Sequence, residues 1–336
     1  MAERKAEHWK RSEGGAIRCE LCPQRCLISK GGTGLCGVRR NREGELVAES
    51  YGIYPAVHLD PVEKKPLNHF LPGSTVLSLG SVGCNLTCLH CQNHSLARGA
   101  VPLESQVLTP AELAGSFHRG GSVGVAFTYN EPTINYEFIL DSAPLIRKRG
   151  GKVIMVTNGF LSPGPWRDVM ELTDGANIDV KGFTEDFYRR VTGGRLQPVL
   201  ENVKTAHGMG VHIELTYLVI PGYNDNMQEV SSFMEWVKDD LDPGVPVHFN
   251  RFHPDHRMMD VPATPSETLE SIGKKALTVG LVNVFVGNLV GSGFEDTTCP
   301  GCGKTLVSRT GFFVKVKGIE NGRCTRCGKE IYGVWS

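Results

Sequence analysis

The chain has 336 residues, 40% hydrophobic and 21% charged, the make-up of an ordinary globular protein with room for one large domain and small appendages. Its 36 Lys and Arg balance 36 Asp and Glu, which weighs against a protein whose main work is gripping nucleic-acid phosphates. No apolar run reaches membrane-spanning length, and residues 1–11 are polar and charged, unlike a signal peptide, so a cytoplasmic location with no membrane partner is expected.

In chain order, residues 76–80 (VLSLG) read as a strand leading into a cysteine-rich loop, 111–119 as a helix and 123–128 (VGVAFT) as a strand. Residues 136–149 are helical by their apolar face, and 152–157 (KVIMVT) are a strand stopped by Asn158-Gly159. A short strand at 177–180, a helix at 199–207 and a strand at 212–220 follow, the last closed by Pro221-Gly222. A helix at 228–238, a strand at 247–251, a helix at 266–279 and a strand at 283–286 complete the series. Strands separated by helices imply parallel pairing through right-handed crossovers. An α/β barrel, open or closed, fits best, with a doubly wound sheet as the alternative. Both ends break the pattern: residues 1–75 hold a cysteine cluster and a Pro-rich, extended stretch, and residues 291–336 are rich in Gly, Cys and short strand-like pieces.

The 11 cysteines fall in three groups, at 19–36, 84–91 and 299–327. An odd count in a chain expected to sit in a reducing compartment is a poor disulfide framework, and neighbouring thiols at these spacings usually share a metal. The central group, in GCNLTCLHCQN, places Cys84, Cys88 and Cys91 at the spacing C-x3-C-x2-C. Three thiolates on one short loop can ligate three irons of a cubane and leave the fourth without a protein ligand. Zinc would want a fourth ligand, for which His90 or His94 is available, but closed zinc sites normally use paired hairpin ligands.

This spacing after a strand resembles the radical S-adenosylmethionine (SAM) superfamily. The resemblance implies a partial (β/α)6 TIM-like barrel over residues 76–290 and a 4Fe–4S cluster that cleaves SAM to a 5′-deoxyadenosyl radical. Within the superfamily the chain is most similar to glycyl-radical-enzyme activases such as pyruvate formate-lyase activating enzyme. TYNEP carries the Glu131-Pro132 of an element that binds the SAM amino group, with Tyr129-Asn130 in place of its glycines, which implies a role for Asn130 and Glu131. Thr157-Asn158-Gly159 matches an element near the SAM carboxylate or ribose. Asp179 and Lys181 match an Asp-x-Lys at a strand end, where Lys can pair with the SAM carboxylate; an ordinary polar strand end reads the same way. His253 stands where the activases place a ribose contact, although a lone His is more often a packing or surface residue. His90 replaces the usual aromatic residue beside the adenine.

The outer cysteines read separately. Cys299-x2-Cys302 and Cys324-x2-Cys327, each pair followed by glycine and 21 residues apart, read as a zinc ribbon, with a rubredoxin-like iron site using the same geometry. Cys19, Cys22, Cys26 and Cys36 fit zinc or an auxiliary Fe–S cluster, and the spacing does not decide between them. From end to end the layout resembles the activase-like radical SAM protein of the AmmeMemoRadiSam system. That resemblance implies Memo-like and AMMECR-like proteins as partners, and a low-potential electron donor of flavodoxin or ferredoxin type. Three functions follow in order: radical modification of a small molecule or protein side chain, activation of a glycyl-radical partner, and a non-catalytic metal or nucleic-acid binding module. Several SAM-contact motifs in order after predicted strands place the last far behind.

Overall fold

The computed structural model describes residues 4–98 and 104–336. Its centre is an eight-stranded sheet: β1 (Ala56–Pro61), β2 (Thr75–Gly80), β3 (Ser122–Phe127), β4 (Lys152–Thr157), β5 (Gly175–Asp179), β6 (His212–Val219), β7 (Val247–Arg251) and β8 (Val284–Gly287). The strands lie side by side in chain order. From β2 onward every pair is parallel, and β1 alone runs antiparallel, against β2. A doubly wound sheet would reverse its strand order partway across, so this sequential order settles the choice for a barrel-like coil of βα units. The order also leaves β1 and β8 as unjoined edges, hence a partial barrel.

Six helices make the crossovers: α1 (Pro110–Ser116), α2 (Tyr136–Lys148), α3 (Pro163–Glu171), α4 (Leu196–Gly208), α5 (Met227–Trp236) and α6 (Ser266–Val279). Each buries an apolar stripe, through residues such as Ile139, Trp166, Val203, Phe233 and Ile272, all of them fully shielded from water. Thr109 caps α1, its hydroxyl accepting from Glu112 N while the Glu112 carboxylate accepts from Thr109 N. The sequence pattern does not show α3, because Pro-Gly-Pro reads as a break; here the prolines occupy the first turn, where no intrahelical N–H is lost.

One boundary differs from the expected ones. Residues 56–61 belong to the large sheet rather than to a separate unit ending at 75. The N-terminal segment has small antiparallel sheets of its own, yet its Ile17, Leu21, Ile28 and Leu46 join one continuous core with the barrel. A buried ion pair between Arg39 and Glu137 of α2 (2.9 Å) fastens it there. The C-terminal segment has its own small core of Cys299, Leu306, Val307, Cys324 and Ile331. It docks under the N-terminal ends of the strands, where Tyr332 hydroxyl meets the Ile213 backbone and Val334 pairs with Phe70. Among the described residues no helix is long and apolar enough to cross a membrane.

Candidate active site

The cysteine loop leaves the C-terminal end of β2, the end of a parallel barrel at which loops converge. Its shape is held from several sides. Gly83 N donates to Leu96 O (2.8 Å), while Thr87 N and Leu89 N donate to Thr192 O (2.7 Å) and Val191 O (2.9 Å). The last two acceptors lie on a π-helical turn, Tyr188–Thr192, whose Gly193 and Gly194 let Thr87 and Leu86 approach closely. Gly83 has φ of 90°, and a Cβ there would stand 2.5 Å from Cys36 O, so only glycine lets the N-terminal segment pack against this loop.

The residues after β3 fasten the loop from within the barrel mouth. Asn130 Nδ2 donates to Ser81 Oγ (3.0 Å) and Gly83 O (2.8 Å), and its Oδ1 accepts from Ser81 N (3.0 Å). Glu131, 2% exposed, accepts four hydrogen bonds: from Thr133 N and Oγ1, Thr157 Oγ1 and Asn158 N, between 2.6 and 3.0 Å. Burial pushes the Glu131 pKa up, and those donors oppose it. The Asn130 and Glu131 side chains therefore brace the ends of β2, β3 and β4. Asn158, tied to Asn85 Oδ1 (2.9 Å), directs the same amide toward Cys84 Sγ at 3.8 Å.

Lys181 and Asp179, at the end of β5, form an ion pair of 2.6 Å. Burial would lower the Lys181 pKa, but Asp179 and then Cys88 and Cys91 outweigh it, so the ammonium stays charged beside the thiols. Burial raises the thiol pKa of Cys84 and Cys91, and carries Cys88 up to about 11 despite Lys181. Binding an iron cluster would release these protons. His90 is 4% exposed, and both ring nitrogens are buried without a hydrogen-bond partner. Burial and then Lys181 push its pKa down to about 3, so the ring is neutral. A buried imidazole with two bare nitrogens is costly unless another molecule satisfies it.

The structure thus gathers Cys84, Cys88, Cys91, His90, Asn130, Glu131, Thr157, Asn158, Asp179 and Lys181 at one end of the barrel. His253 is exposed on the loop after β7, a loop that reaches the cysteine loop where Arg257 N donates to Leu89 O (3.0 Å) and His256 stacks on His94 with centroids 4.6 Å apart. Sequence reading passed over Asn85, Asn93 and Tyr129. Asn93 Nδ2 donates to Tyr129 O (2.8 Å), and Tyr129, at φ of 71°, is pinned by its hydroxyl to Asp60 Oδ2 (2.5 Å). The signal available was the pair of asparagines inside the cysteine loop, polar residues with no reason to be there unless they brace a turn.

The C-terminal thiols are arranged otherwise. Cys299 and Cys327 sulfurs are 3.5 Å apart, Cys302 and Cys324 sulfurs 3.7 Å, and all four lie within 4.8 Å of one another. Zn–S bonds of about 2.3 Å in a tetrahedron put sulfurs about 3.8 Å apart. Among the described residues no other group of His, Cys, Asp or Glu is drawn together in this way.

Comparison with known proteins agrees with this geometry. The family model described as the radical SAM superfamily matches residues 79–235. An uncharacterized protein of Methanocaldococcus jannaschii is 39% identical over 333 residues, covering 98% of both chains. The benzylsuccinate synthase activating enzyme of Thauera aromatica is 22% identical, covering 83% of this chain and 90% of its own. The pyruvate formate-lyase-activating enzyme of Clostridium pasteurianum is 23% identical, covering 57% of this chain and 86% of its own. Streptococcus suis SuiB bound to S-adenosylmethionine shares the fold, with a TM-score of 0.50 at 11% identity over 69% of this chain and 53% of that one. The chain belongs to the radical SAM superfamily, as a relative of its activating enzymes.

Proposed function

We propose that this protein is an enzyme in which Cys84, Cys88 and Cys91 hold a 4Fe–4S cluster whose fourth iron takes SAM. The observation that carries the reading is His90: a neutral imidazole, buried beside the third cysteine, with both nitrogens awaiting a partner. When bound, cluster and SAM together supply a 5′-deoxyadenosyl radical, which abstracts a hydrogen atom from a small molecule or a protein side chain.

The chain's own residues set the conditions. Lys181 provides fixed positive charge beside Cys88 and Cys91 and is the group suited to a carboxylate of SAM. Asn158 donates toward Cys84, which favours its thiolate form. Asn130, Glu131 and Thr157 hold the turn rigid, leaving backbone carbonyls to meet an ammonium group. His90 packs against the base and completes its own hydrogen bonding in doing so. The electron comes from a low-potential donor of flavodoxin or ferredoxin type.

At the far end of the barrel, the four C-terminal thiols hold zinc, with sulfur spacings that fit tetrahedral closure. Similarity to two activating enzymes supports a second reading, in which the hydrogen abstracted belongs to a glycine of a partner protein. Memo-like and AMMECR-like proteins are the partners to test. The experiment is anaerobic reconstitution followed by dithionite and SAM, with and without those proteins. Formation of 5′-deoxyadenosine that requires Cys84, Cys88 and Cys91 supports the reading; a stable radical left on a partner polypeptide selects the activase form. Equal deoxyadenosine from the three-cysteine variant sinks the assignment.

A further inference from the structure

Cys19, Cys22 and Cys26, in one short stretch, and Cys36 line one small, partly open cavity with Leu21, Arg39 and Asn85 among its walls. We infer that this cavity is the seat of a second iron–sulfur cluster, a 4Fe–4S cubane with one thiolate on each iron, and not of a zinc ion.

The grouping of the sulfurs favours the cluster. In the C-terminal ribbon, four cysteines stand within 4.8 Å of one another around the space for one ion. The N-terminal four are not gathered in that way, although all are described and all face the same cavity. Around a cubane each thiolate meets a different corner, so its sulfurs stand farther apart than around a single tetrahedral ion. The same chain therefore displays both patterns, one as the internal standard for the other.

The walls supply what such a cluster needs. Leu35 N donates to Cys26 Sγ (3.4 Å), and the backbone N–H groups of Leu21, Gln24 and Val38 are directed at Cys19, Cys22 and Cys36. Backbone donors to cysteine sulfur stabilise the negative charge of a ligated cluster and tune its potential. Arg39 is 1% exposed. Its Nη atoms are used by Glu137 and Glu7 O, but its Nε is buried with no hydrogen-bond partner. A cluster sulfide or thiolate in the cavity gives that N–H an acceptor, and a cation here offsets the charge of the thiolates.

The cavity also abuts the central loop. Asn85, which directly follows Cys84, is one of its walls, and Gln24, between Cys22 and Cys26, donates to Asn85 O (2.9 Å). A cluster here would share a wall with the loop proposed to hold the SAM-binding one.

The test separates this inference from the function proposed above, because it uses a protein without the central cluster. Cys84, Cys88 and Cys91 are changed together to alanine, the full chain is reconstituted anaerobically, and iron, sulfide and zinc are counted. The expected result is about four irons, about four sulfides and about one zinc per chain, with a reduced-state electron paramagnetic resonance signal unaffected by SAM. Iron below about one per chain overturns the inference, whether or not a second zinc replaces it. Should the triple variant fail to fold, the unaltered protein decides: about eight irons and one zinc sustain the second cluster, and about four irons and two zincs refute it. A further Cys22→Ser, Cys36→Ser pair in the unaltered background should remove about half of the iron and leave the zinc.

Discussion

His69 and His90 are both buried, and burial pushes the pKa of each down to about 3, yet the two sites are built differently. His69 lies under the barrel, where one ring nitrogen meets Tyr332 O (2.7 Å) and the other Thr297 Oγ1 (2.9 Å). Beside it Glu214 accepts from the N–H groups of Asn68 and His69 and pairs with His212 and His248. Both ring nitrogens of His69 and both carboxylate oxygens of Glu214 have their partners inside the chain. His90, at the opposite end, has none for either nitrogen. A closed network holds the ribbon to the barrel floor, whereas an open one waits for a molecule from outside. Burial alone therefore does not mark a functional residue; at His90 the contrast lies in two ring nitrogens left bare beside the cysteine loop.

The largest effect expected is at the open end. Cys84→Ala, Cys88→Ala or Cys91→Ala should reduce SAM-derived deoxyadenosine to background and leave zinc at about one per chain, read by chromatography and metal analysis. Next, Cys299→Ser or Cys327→Ser should strip that zinc and lower the melting temperature by at least about 5 °C, with deoxyadenosine formed per iron unchanged. Loss of activity in step with zinc would show that the two ends of the barrel are not independent.

Substituting the two histidines sharpens the contrast further. His69→Phe leaves the Tyr332 carbonyl without its donor and the Thr297 hydroxyl without its acceptor, and should cost about 2–4 kcal/mol in urea unfolding. His90→Phe removes two unsatisfied atoms and should change stability by less than about 1 kcal/mol, while weakening SAM binding about tenfold. The smallest effect is a pH slope. Since the folded pKa of His69 lies far below its unfolded value, the unfolded chain takes up the proton first. The stability from its neutral form is thus present above about pH 6.5 and drains away as pH falls toward 3, a slope that His69→Phe should flatten.

Much of this was legible in the residues. The alternation of strand and helix patterns gives the parallel sheet, and three close cysteines after a strand locate the site. The edge strand β1 was hidden because only one of its six residues is fully buried, it ends in proline, and it pairs antiparallel to its neighbour. Asn130 and Glu131 were located as site residues, but not that their side chains turn inward, because a motif does not say whether side chain or backbone meets the ligand. His253 was named from its position in the chain, and it stands exposed on the loop after β7. The spacing of Cys19, Cys22, Cys26 and Cys36 left both zinc and a cluster open, because spacing along the chain does not say how far apart the folded sulfurs stand.

The central claim is that one iron of the Cys84, Cys88 and Cys91 cluster is open to SAM. Electron paramagnetic resonance of the dithionite-reduced, reconstituted protein, recorded with and without SAM, tests it most directly. The account predicts a SAM-induced change in the spectrum of the parent that is absent from the Cys84, Cys88, Cys91 triple alanine variant. Identical spectra with and without SAM, from a parent whose iron is fully loaded, would contradict it.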